Sequence, residues 1–479
     1  MSSVFAHASA LDPLGVLARF RQGFYDCLYA REDALFELAD ALLCSAGPVK
    51  TLVELCLAAE HRRGHGGMYA ALNDGDLEPE RLRWAVAAMP VPQARDGRIT
   101  LAVDVSNWLR PDAAASPDRL FCHTYGRGRS SDQLIPGWPY SFVAALESGP
   151  TSWTALLDAV RLTPSDDATE VTAAQLRAVV VKLIGAGHWN SSDPPVTIVA
   201  DAGYDVARLA YLLADLPVLM VARVRSDRVY RREATAHQPG MNGRPARHGA
   251  RVKLSDPATW PEPDSAASAS TTRYGAAEIQ AWHRLHPTLT HRSSWLEHEG
   301  ELPILPGTLV RLKVEHLPGS REPDPVWLWC SAPEADPDLV TVCWTMFLRR
   351  FDLEHTFRFL KQTLGWTRPK LRDPAAADRW TWLVIAAHTQ LRLARPLAAD
   401  LRRPWEQPLP AGKLTPARVR RGFRNIRANL PELAHAPKPS RPGPGRPAGS
   451  RNKIKAPVHD VGKTEKRALT LEQHHAALG

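Results

Sequence analysis

Three carboxylates stand at positions from which they could act together. Asp104 follows the apolar run Ile99–Val103, and Asp201 follows the wholly apolar run Val196–Ala200. Both runs are typical of buried strands, and the reactive groups of α/β sheets gather where strands end. Glu354 lies further on, in a segment with the pattern of a helix. We expect the three side chains to meet, although an aspartate after a strand is also a common turn residue or helix cap.

Oxygen ligands of this kind suit hard divalent cations. Two such ions about 3.5–4 Å apart activate water and stabilise the leaving oxygen when a phosphodiester bond is cut. The residue types therefore predict a site for two hard divalent cations, and the family resemblance described below implies that they are Mg²⁺, which Mn²⁺ can replace. Asp104, Asp201 and Glu354 are the predicted metal ligands and catalytic residues.

The predicted helix around Glu354 adds three cations to the same face. Arg350, Glu354, Arg358 and Lys361 follow helical spacing within a run that is rich in phenylalanine. A solvated stripe of salt bridges would show the same spacing. The neighbouring aromatic residues favour a helix that faces a cleft, where cations keep a carboxylate ionised and hold DNA phosphates.

At these residues the sequence resembles the DDE transposases of bacterial insertion sequences. The closer resemblance is to the subgroup with the pattern Tyr, two residues, Arg, three residues, Glu, six residues, Lys. Phe347, Arg350, Glu354 and Lys361 keep this spacing, and the segment 199–204 is similar to the family's second-aspartate motif. Phe347 replaces the tyrosine and so lacks a hydroxyl that could contact a phosphate. The resemblance covers residues 95 to 400, approximately.

The resemblance implies an α/β protein with an RNase H-like catalytic core. A β-rich insertion would interrupt this core, with an N-terminal helical module before it and a disordered basic C-terminal tail after it. Arg350 and Lys361 would contact the DNA backbone beside the metal ligands. The implied activity is cut-and-paste transposition, in which a homodimer holds two transposon ends on DNA.

Changes in composition along the chain predict five regions. They are an N-terminal helical module that could bind DNA (1–95), the first part of the core (96–225), the β-rich insertion with its own small sheet (226–335), the second part of the core (336–410) and the tail (411–479). Further strands are predicted at Leu120–Tyr125, Tyr140–Leu146, Val218–Val224, Leu309–Glu315 and Val326–Cys330, and helices at Ala173–Ala186, Val206–Leu213, from Met346, and at Arg379–Leu393.

The overall composition excludes several classes of protein. Of the 479 residues, 44% are hydrophobic and 23% are charged, which is enough apolar material to bury a core. No apolar stretch is long enough to span a membrane, and the N-terminus does not resemble a secretory signal. The six cysteines form no close pair, so we expect a reducing cytosol. The resemblance to bacterial transposases implies a bacterial cytoplasm and association with the nucleoid. The net charge of +9 favours a polyanionic partner.

The basic tail contains a segment similar to an AT-hook. Arg446 lies in the run Pro444-Gly445-Arg446-Pro447, which could carry its guanidinium into a narrow minor groove. A generic basic linker that contacts phosphates would have the same composition, and the sequence leaves both readings open.

Other residues admit a plainer explanation. Arg62 and Arg63 could contact phosphates, or they could belong to a helical packing module. Trp282 and Trp295 could stack on a flipped base, but core residues of a small β-domain are the expected reading. His61 and His65 lack the carboxylate that would complete a zinc site. Gly462-Lys463-Thr464 lacks the earlier glycine of an ATP-binding loop, since Pro457 stands there.

The favoured function is a DNA transposase that cuts transposon ends and joins them to target DNA. Two alternatives stay open at this stage. One is a nuclease of the same fold that does not transpose, and the other is an inactive DNA-binding regulator derived from a transposase. The complete set of carboxylates argues against the regulator.

Overall fold

The computed structural model describes residues 12–124, 133–149, 151–235, 245–271, 274–316, 323–438, 447, 449–450 and 454–462. The helices are α1 (Pro13–Tyr25), α2 (Glu32–Cys44), α3 (Leu52–Leu55), α4 (His65–Asp74), α5 (Pro79–Ala87), α6 (Ala168–Gly185), α7 (Val206–Leu212), α8 (Pro337–Arg349), α9 (Phe351–Gln362), α10 (Pro374–Ala394) and α11 (Pro416–Arg427). The strands are β1 (Leu28–Ala30), β2 (Asp76–Leu77), β3 (Thr100–Leu109), β4 (Leu120–Thr124), β5 (Gln133–Leu146), β6 (Thr154–Arg161), β7 (Val196–Ala200), β8 (Val218–Val224), β9 (Val229–Glu233), β10 (His248–Lys253), β11 (Ser265–Thr271), β12 (Gly275–Pro287), β13 (Gly307–Val314) and β14 (Val326–Cys330). None of the helices described has both the length and the apolar character needed to cross a membrane.

A large mixed sheet runs through the protein. Its strand order is β10-β9-β12-β13-β14-β8-β7-β3-β5-β4, with β11 beside β12 and β6 beside β5. Strand β7 pairs in parallel with β3 and β8, and the other pairings described in this sheet are antiparallel. The predicted α/β class is therefore confirmed. All five residues of β7 are buried, as expected for a strand that helices cover on both faces.

The insertion extends this sheet, which corrects the prediction that it forms a small sheet of its own. Strand β14 pairs with β8 of the core, with Trp329 opposite Ala222, and the other insertion strands follow outward. Without β14, the edge of β8 would present unpaired backbone groups. Trp282 and Trp295 are 2% and 3% exposed, so the structure places both in packed interior positions.

The sequence pattern misses strand β6. It reads Thr-Ala-Leu-Leu-Asp-Ala-Val-Arg, and the aspartate interrupts an otherwise apolar run. Asp158 is nevertheless buried, because its Oδ1 accepts a hydrogen bond from Nε of Arg83 at 2.7 Å. The partner is on α5, so a contact distant in sequence makes this polar residue compatible with a buried strand.

A buried ion-pair network joins the two ends of the chain. Arg21 of α1 donates to both carboxylate oxygens of Asp40 on α2, at 2.6 and 2.9 Å, and also to Oε1 of Gln390 on α10. Arg427 of α11 donates to the same Asp40 at 2.9 Å. Arg21 and Asp40 are each 1% exposed. Helices α1 and α2 are thus fixed to α10 and α11 by charged groups that are removed from water and paired with one another.

Helix α11 lies within the range predicted as a disordered tail, and that prediction is wrong for residues 416–427. Val419, Phe423 and Ile426 are buried at helical spacing. Arg420 donates to the carbonyl oxygens of Leu42 at 2.9 Å and Gly47 at 2.6 Å. The five arginines of this segment obscured its apolar periodicity.

A later stretch of the tail also contacts the core. The backbone N–H of His459 donates to the Ala114 carbonyl at 2.9 Å, and the N–H of Gly462 donates to the Arg119 carbonyl at 3.0 Å. Arg119 in turn donates to the His459 carbonyl at 2.8 Å. Residues 454–462 therefore lie against the loop between β3 and β4.

The Asp40 network gives a first prediction. Asp40→Ala leaves the buried guanidinium of Arg21 without its carboxylate, and we expect a loss of about 3–5 kcal/mol in the free energy of unfolding. Chemical denaturation followed by tryptophan fluorescence measures it. The control is Glu432→Ala, which removes an exposed partner of Arg427 and should cost under about 1 kcal/mol. Equal effects of the two substitutions would contradict a central role for Asp40.

Candidate active site

Adjacent parallel strands place the two aspartates side by side. Ala102 of β3 lies opposite Val199 of β7, so Asp104 and Asp201 each stand two residues beyond a matched pair. Two residues are one repeat of a strand, so both side chains point to the same face, and neighbouring strands lie about 4.8 Å apart. Asp201 directly follows β7 as predicted, whereas β3 continues to Leu109, which puts Asp104 within its strand.

Helix α9 brings the glutamate to these aspartates. Leu353, Phe357 and Leu360 are buried on the side that packs on the sheet. The ring of Phe357 lies 5.2 Å from the ring of Phe142, and Phe142 is the residue of β5 that pairs with Asp104. The helix therefore covers the face from which Asp104 projects. Glu354 lies on the open side of α9, with its side chain 53% exposed.

Arg350 contacts all three carboxylates. Its Nη1 lies 2.8 Å from Oδ2 of Asp104, and its Nη2 lies 3.4 Å from Oδ2 of Asp201 and 3.8 Å from Oε1 of Glu354. The arginine side chain is only 4% exposed. It stands between α8 and α9, so the predicted single helical face is in fact divided at this residue.

The electrostatics of the site reflect this crowding. Burial is the largest cause that raises the pKa of Asp104, and the charges of Asp201 and Glu354 raise it further. Arg350 and the backbone N–H of Val105 act in the opposite direction, and the resulting pKa is about 6. Three carboxylates against one guanidinium leave negative charge that a further cation would offset.

Backbone groups fix the orientation of the two aspartates. The N–H of Val105 donates to Oδ1 of Asp104 at 2.8 Å, and the N–H of Ala202 donates to Oδ1 of Asp201 at 2.8 Å. Each aspartate thus uses one oxygen to accept a hydrogen bond from the backbone N–H of the next residue. The Oδ2 atoms of both turn toward Arg350.

By ligand type, this set fits a hard divalent ion. The carboxylates supply only oxygen atoms and converge on one point. Within the described part of the chain, no group of three His, Cys, Asp or Glu side chains already stands close enough to hold a metal. The guanidinium of Arg350 occupies the space between Asp104, Asp201 and Glu354, so metal binding requires Arg350 to withdraw and the carboxylates to close in.

Lys361 lies to one side of the three carboxylates, near Asp104. Burial lowers the pKa of its ammonium group, and the nearby charge of Asp104 raises it. The Nζ atom lies 5.8 Å from the ring centre of Trp366, which is buried and donates to Thr381 Oγ1 at 2.9 Å. Among the described residues, no carboxylate lies within ion-pair distance of Lys361. Its charge is therefore available to a ligand.

The other predicted DNA contacts have different surroundings. Arg62 and Arg63 both pair with Glu37, at 2.8 and 2.7 Å, and Arg63 also pairs with Asp33. Phe347 is buried and carries the guanidinium of Arg350 near its ring, 5.9 Å from the centre. Arg446 lies outside the described residues.

The sequence pattern gave no sign of two features of the site. The first is Trp366, which follows the end of α9 and supports Lys361. The second is a backbone hydrogen bond that fixes the C-terminal end of α9, in which the Val49 N–H donates to the Thr363 carbonyl at 3.0 Å. Gly365 adopts a φ of 70° there, and a Cβ atom would come within 2.8 Å of the Val49 carbonyl. Only glycine adopts this positive φ without strain and also leaves room for the Val49 carbonyl.

The sequence of the chain is similar to one family of known proteins. The model of the family described as DDE superfamily endonuclease matches residues 23–288. The matched range includes β3 and β7 with Asp104 and Asp201, and it ends before α9. No curated protein matches the chain.

The shared guanidinium gives a second prediction. Arg350→Gln leaves three partly buried carboxylates without their common cation, so we expect the free energy of unfolding to fall by about 3–5 kcal/mol in metal-free buffer. Added Mg²⁺ should raise the melting temperature of the variant more than that of the wild type, because the ion then supplies the missing charge. Thermal melting with and without Mg²⁺ measures both effects.

Arg349→Gln is the matched control for this experiment. Arg349 is the adjacent arginine, and its guanidinium contacts Asp352 and the Glu147 carbonyl instead of the three carboxylates. An equal Mg²⁺ response in both variants would show that Arg350 does not balance the charge of the site.

Proposed function

The chain belongs to the DDE superfamily endonucleases, and from this premise we propose that it is a DNA transposase that cuts transposon ends and joins them to target DNA. The observation that carries the proposal is the meeting of Asp104, Asp201 and Glu354 around one guanidinium. They come from two strands and a helix separated by a long insertion. The RNase H-like character of the core and a homodimer on DNA are parts of the same proposal.

Asp104, Asp201 and Glu354 would hold two Mg²⁺ ions, which Mn²⁺ can replace. When bound, such ions supply an activated water or 3′-hydroxyl and stabilise the leaving 3′-oxygen. The protein contributes fixed ligand directions through the Val105 and Ala202 backbone groups. Glu354, the most exposed of the three side chains, stands on the side from which DNA can approach.

Lys361 is proposed to orient the DNA backbone. A half-buried ammonium group that lacks a carboxylate partner attracts a phosphate oxygen strongly, because water screens it poorly. The Trp366 ring limits its freedom, so a bound phosphate would be held in one place. Arg350 is proposed to take up a phosphate when it withdraws from the carboxylates, and Arg446 remains a proposed contact of the tail.

A nuclease that does not transpose is the second candidate, since the family description names endonuclease activity. Both functions need the same carboxylates, so mutations in the site do not separate them. A strand-transfer assay does, because a transposase joins the freed 3′-hydroxyl of a transposon end to a second DNA molecule. Cleavage without any joined product would favour the nuclease.

The third prediction tests the metal ligands. Asp104→Ala, Asp201→Ala and Glu354→Ala should each abolish Mg²⁺-dependent cleavage, because phosphodiester chemistry depends on the geometry of both ions. DNA binding should largely survive, since the phosphate contacts are retained. Gel assays of cleavage and binding on the same preparation measure the two. Full cleavage by one variant would remove that residue from the proposed site.

The fourth prediction concerns Lys361. Lys361→Ala should reduce cleavage at least tenfold, because a small displacement of the scissile phosphate is costly in an in-line reaction. Arg358→Ala is the control, since Arg358 is exposed on the same helix. Melting temperatures of both variants show whether the fold persists. Wild-type cleavage by Lys361→Ala would leave this lysine a purely structural residue of α9.

A further inference from the structure

Two elements of the chain are rich in arginine, and their charges are arranged differently. In α11, each arginine is engaged inside the protein: Arg418 with Asp400, Arg420 with the Leu42 and Gly47 carbonyls, Arg421 with Glu406, Arg424 with Glu60, and Arg427 with Asp40. The positive charge of this helix is therefore largely compensated by its own partners. Its composition alone would have made it the first choice for a nucleic-acid contact.

The second element is the pair of strands β9 and β10, here called the basic ribbon. It lies at the outer edge of the sheet. Its cations are Arg228, Arg231, Arg232, Arg251 and Lys253. Across the residues that the structure describes, none of the five has a carboxylate within ion-pair distance. The connecting loop cannot supply one, because the sequence contains no Asp or Glu between Glu233 and Asp256.

The register of the ribbon places like charges opposite each other. Arg231 pairs with Arg251 of β10 on one side and with His286 of β12 on the other. Directly opposed side chains have Cβ atoms about 4.5–5.5 Å apart, and like charges at that distance are destabilising. Tyr230 and Val252 are buried on the other face, so the ribbon cannot relieve this repulsion by turning over.

Two acidic groups, Glu233 of β9 itself and Glu301, pair with arginines that are not among the five cations. Glu233 lies 3.9 Å from Arg284, and Glu301 lies 2.9 Å from Arg247. The positive surroundings also affect His286. Its pKa is lowered to about 4, chiefly by burial and further by the charges of His248, Arg231 and Arg247. By strand alternation, Arg231, Arg251 and Lys253 project from one face of the ribbon, and none of them has a carboxylate partner among the described residues, whereas Arg232 projects from the face of Tyr230.

We infer that the basic ribbon is a second DNA-binding surface, separate from the carboxylate site, that contacts the sugar–phosphate backbone of duplex DNA. The inference rests on the proposed function, which makes DNA the polyanion that the protein meets. The strand order puts β10 seven strands from β3, which is at most roughly 34 Å along the sheet and close to one turn of B-DNA. A duplex that enters the carboxylate site can therefore reach the ribbon about one helical turn away.

The fifth prediction tests the ribbon by the salt dependence of DNA binding. The full-length protein is titrated into a fluorescent duplex of arbitrary sequence, in metal-free buffer at several salt concentrations. In the double variant Arg251→Gln/Lys253→Gln, two phosphate contacts are lost, so the slope of log affinity against log salt should flatten by roughly 1.8. Binding should weaken by a similar factor on any sequence, since phosphates carry no base information.

The matched control is the double variant Arg402→Gln/Arg403→Gln. Both arginines are exposed, and their removal changes the net charge by the same amount. The control should keep the wild-type slope. Arg251→Lys should also keep it, because the charge remains. The melting temperature of the ribbon variant should hold or rise, because the substitution removes the repulsion between Arg251 and Arg231.

The outcomes separate this inference from the proposed function. An unchanged slope in the ribbon variant, with normal DNA binding and cleavage by the wild type, would overturn the inference alone. An equal loss of slope in the control would mean that net charge matters and the ribbon does not, which also overturns it. Failure of the wild type to bind DNA at all would overturn both.

Discussion

One guanidinium, that of Arg350, contacts three carboxylates, and two strands and two helices must be correctly placed for this contact to form. Arg350 reaches Asp104 and Asp201 only because β3 and β7 are parallel and matched in register. It reaches Glu354 because the chain changes helix at this residue, so that α9 lies over the same strands. Without a cation at this point, three acidic groups in a partly dry cleft would repel one another. The guanidinium thus offsets part of the negative charge that these three groups bring together.

The placement of arginine matters more in this protein than its abundance. Arginines in α1 and α11 cross-link helices through buried or half-buried carboxylates, as Arg21 and Arg427 do with Asp40. Those of β9 and β10 face solvent and lack such partners in the described structure. Each arginine of either group adds the same charge to the protein, yet a cation without a carboxylate partner attracts a polyanion at longer range than a paired one. Net charge therefore says little about where a nucleic acid binds.

Local patterns in the sequence were enough to predict the strands whose residues are mostly apolar and buried. The strands β7, β8 and β14 were predicted with their correct bounds, because each is mostly apolar, with Thr197 in β7 and Arg223 near the end of β8 as the exceptions. The second half of β3 was missed, since Asp104, Ser106 and Asn107 interrupt its apolar pattern. The break between α8 and α9 contains no proline or glycine that could have revealed it. The meeting of the predicted acidic residues could be anticipated from spacing, but the inward direction of Arg350 depends on partners distant in sequence.

The buried network at Asp40 also has a consequence for the order in which the chain can fold. Arg21 and Gln390 are 369 residues apart, and Asp40 and Arg427 are 387 apart. During synthesis the first two helices therefore emerge long before the groups that complete their charge network. Contacts of such sequence separation close slowly, and large chains fold through intermediates that expose unfinished surfaces. Arg21 and Asp40 therefore stay exposed to solvent, without Gln390 and Arg427, until residue 427 has left the ribosome.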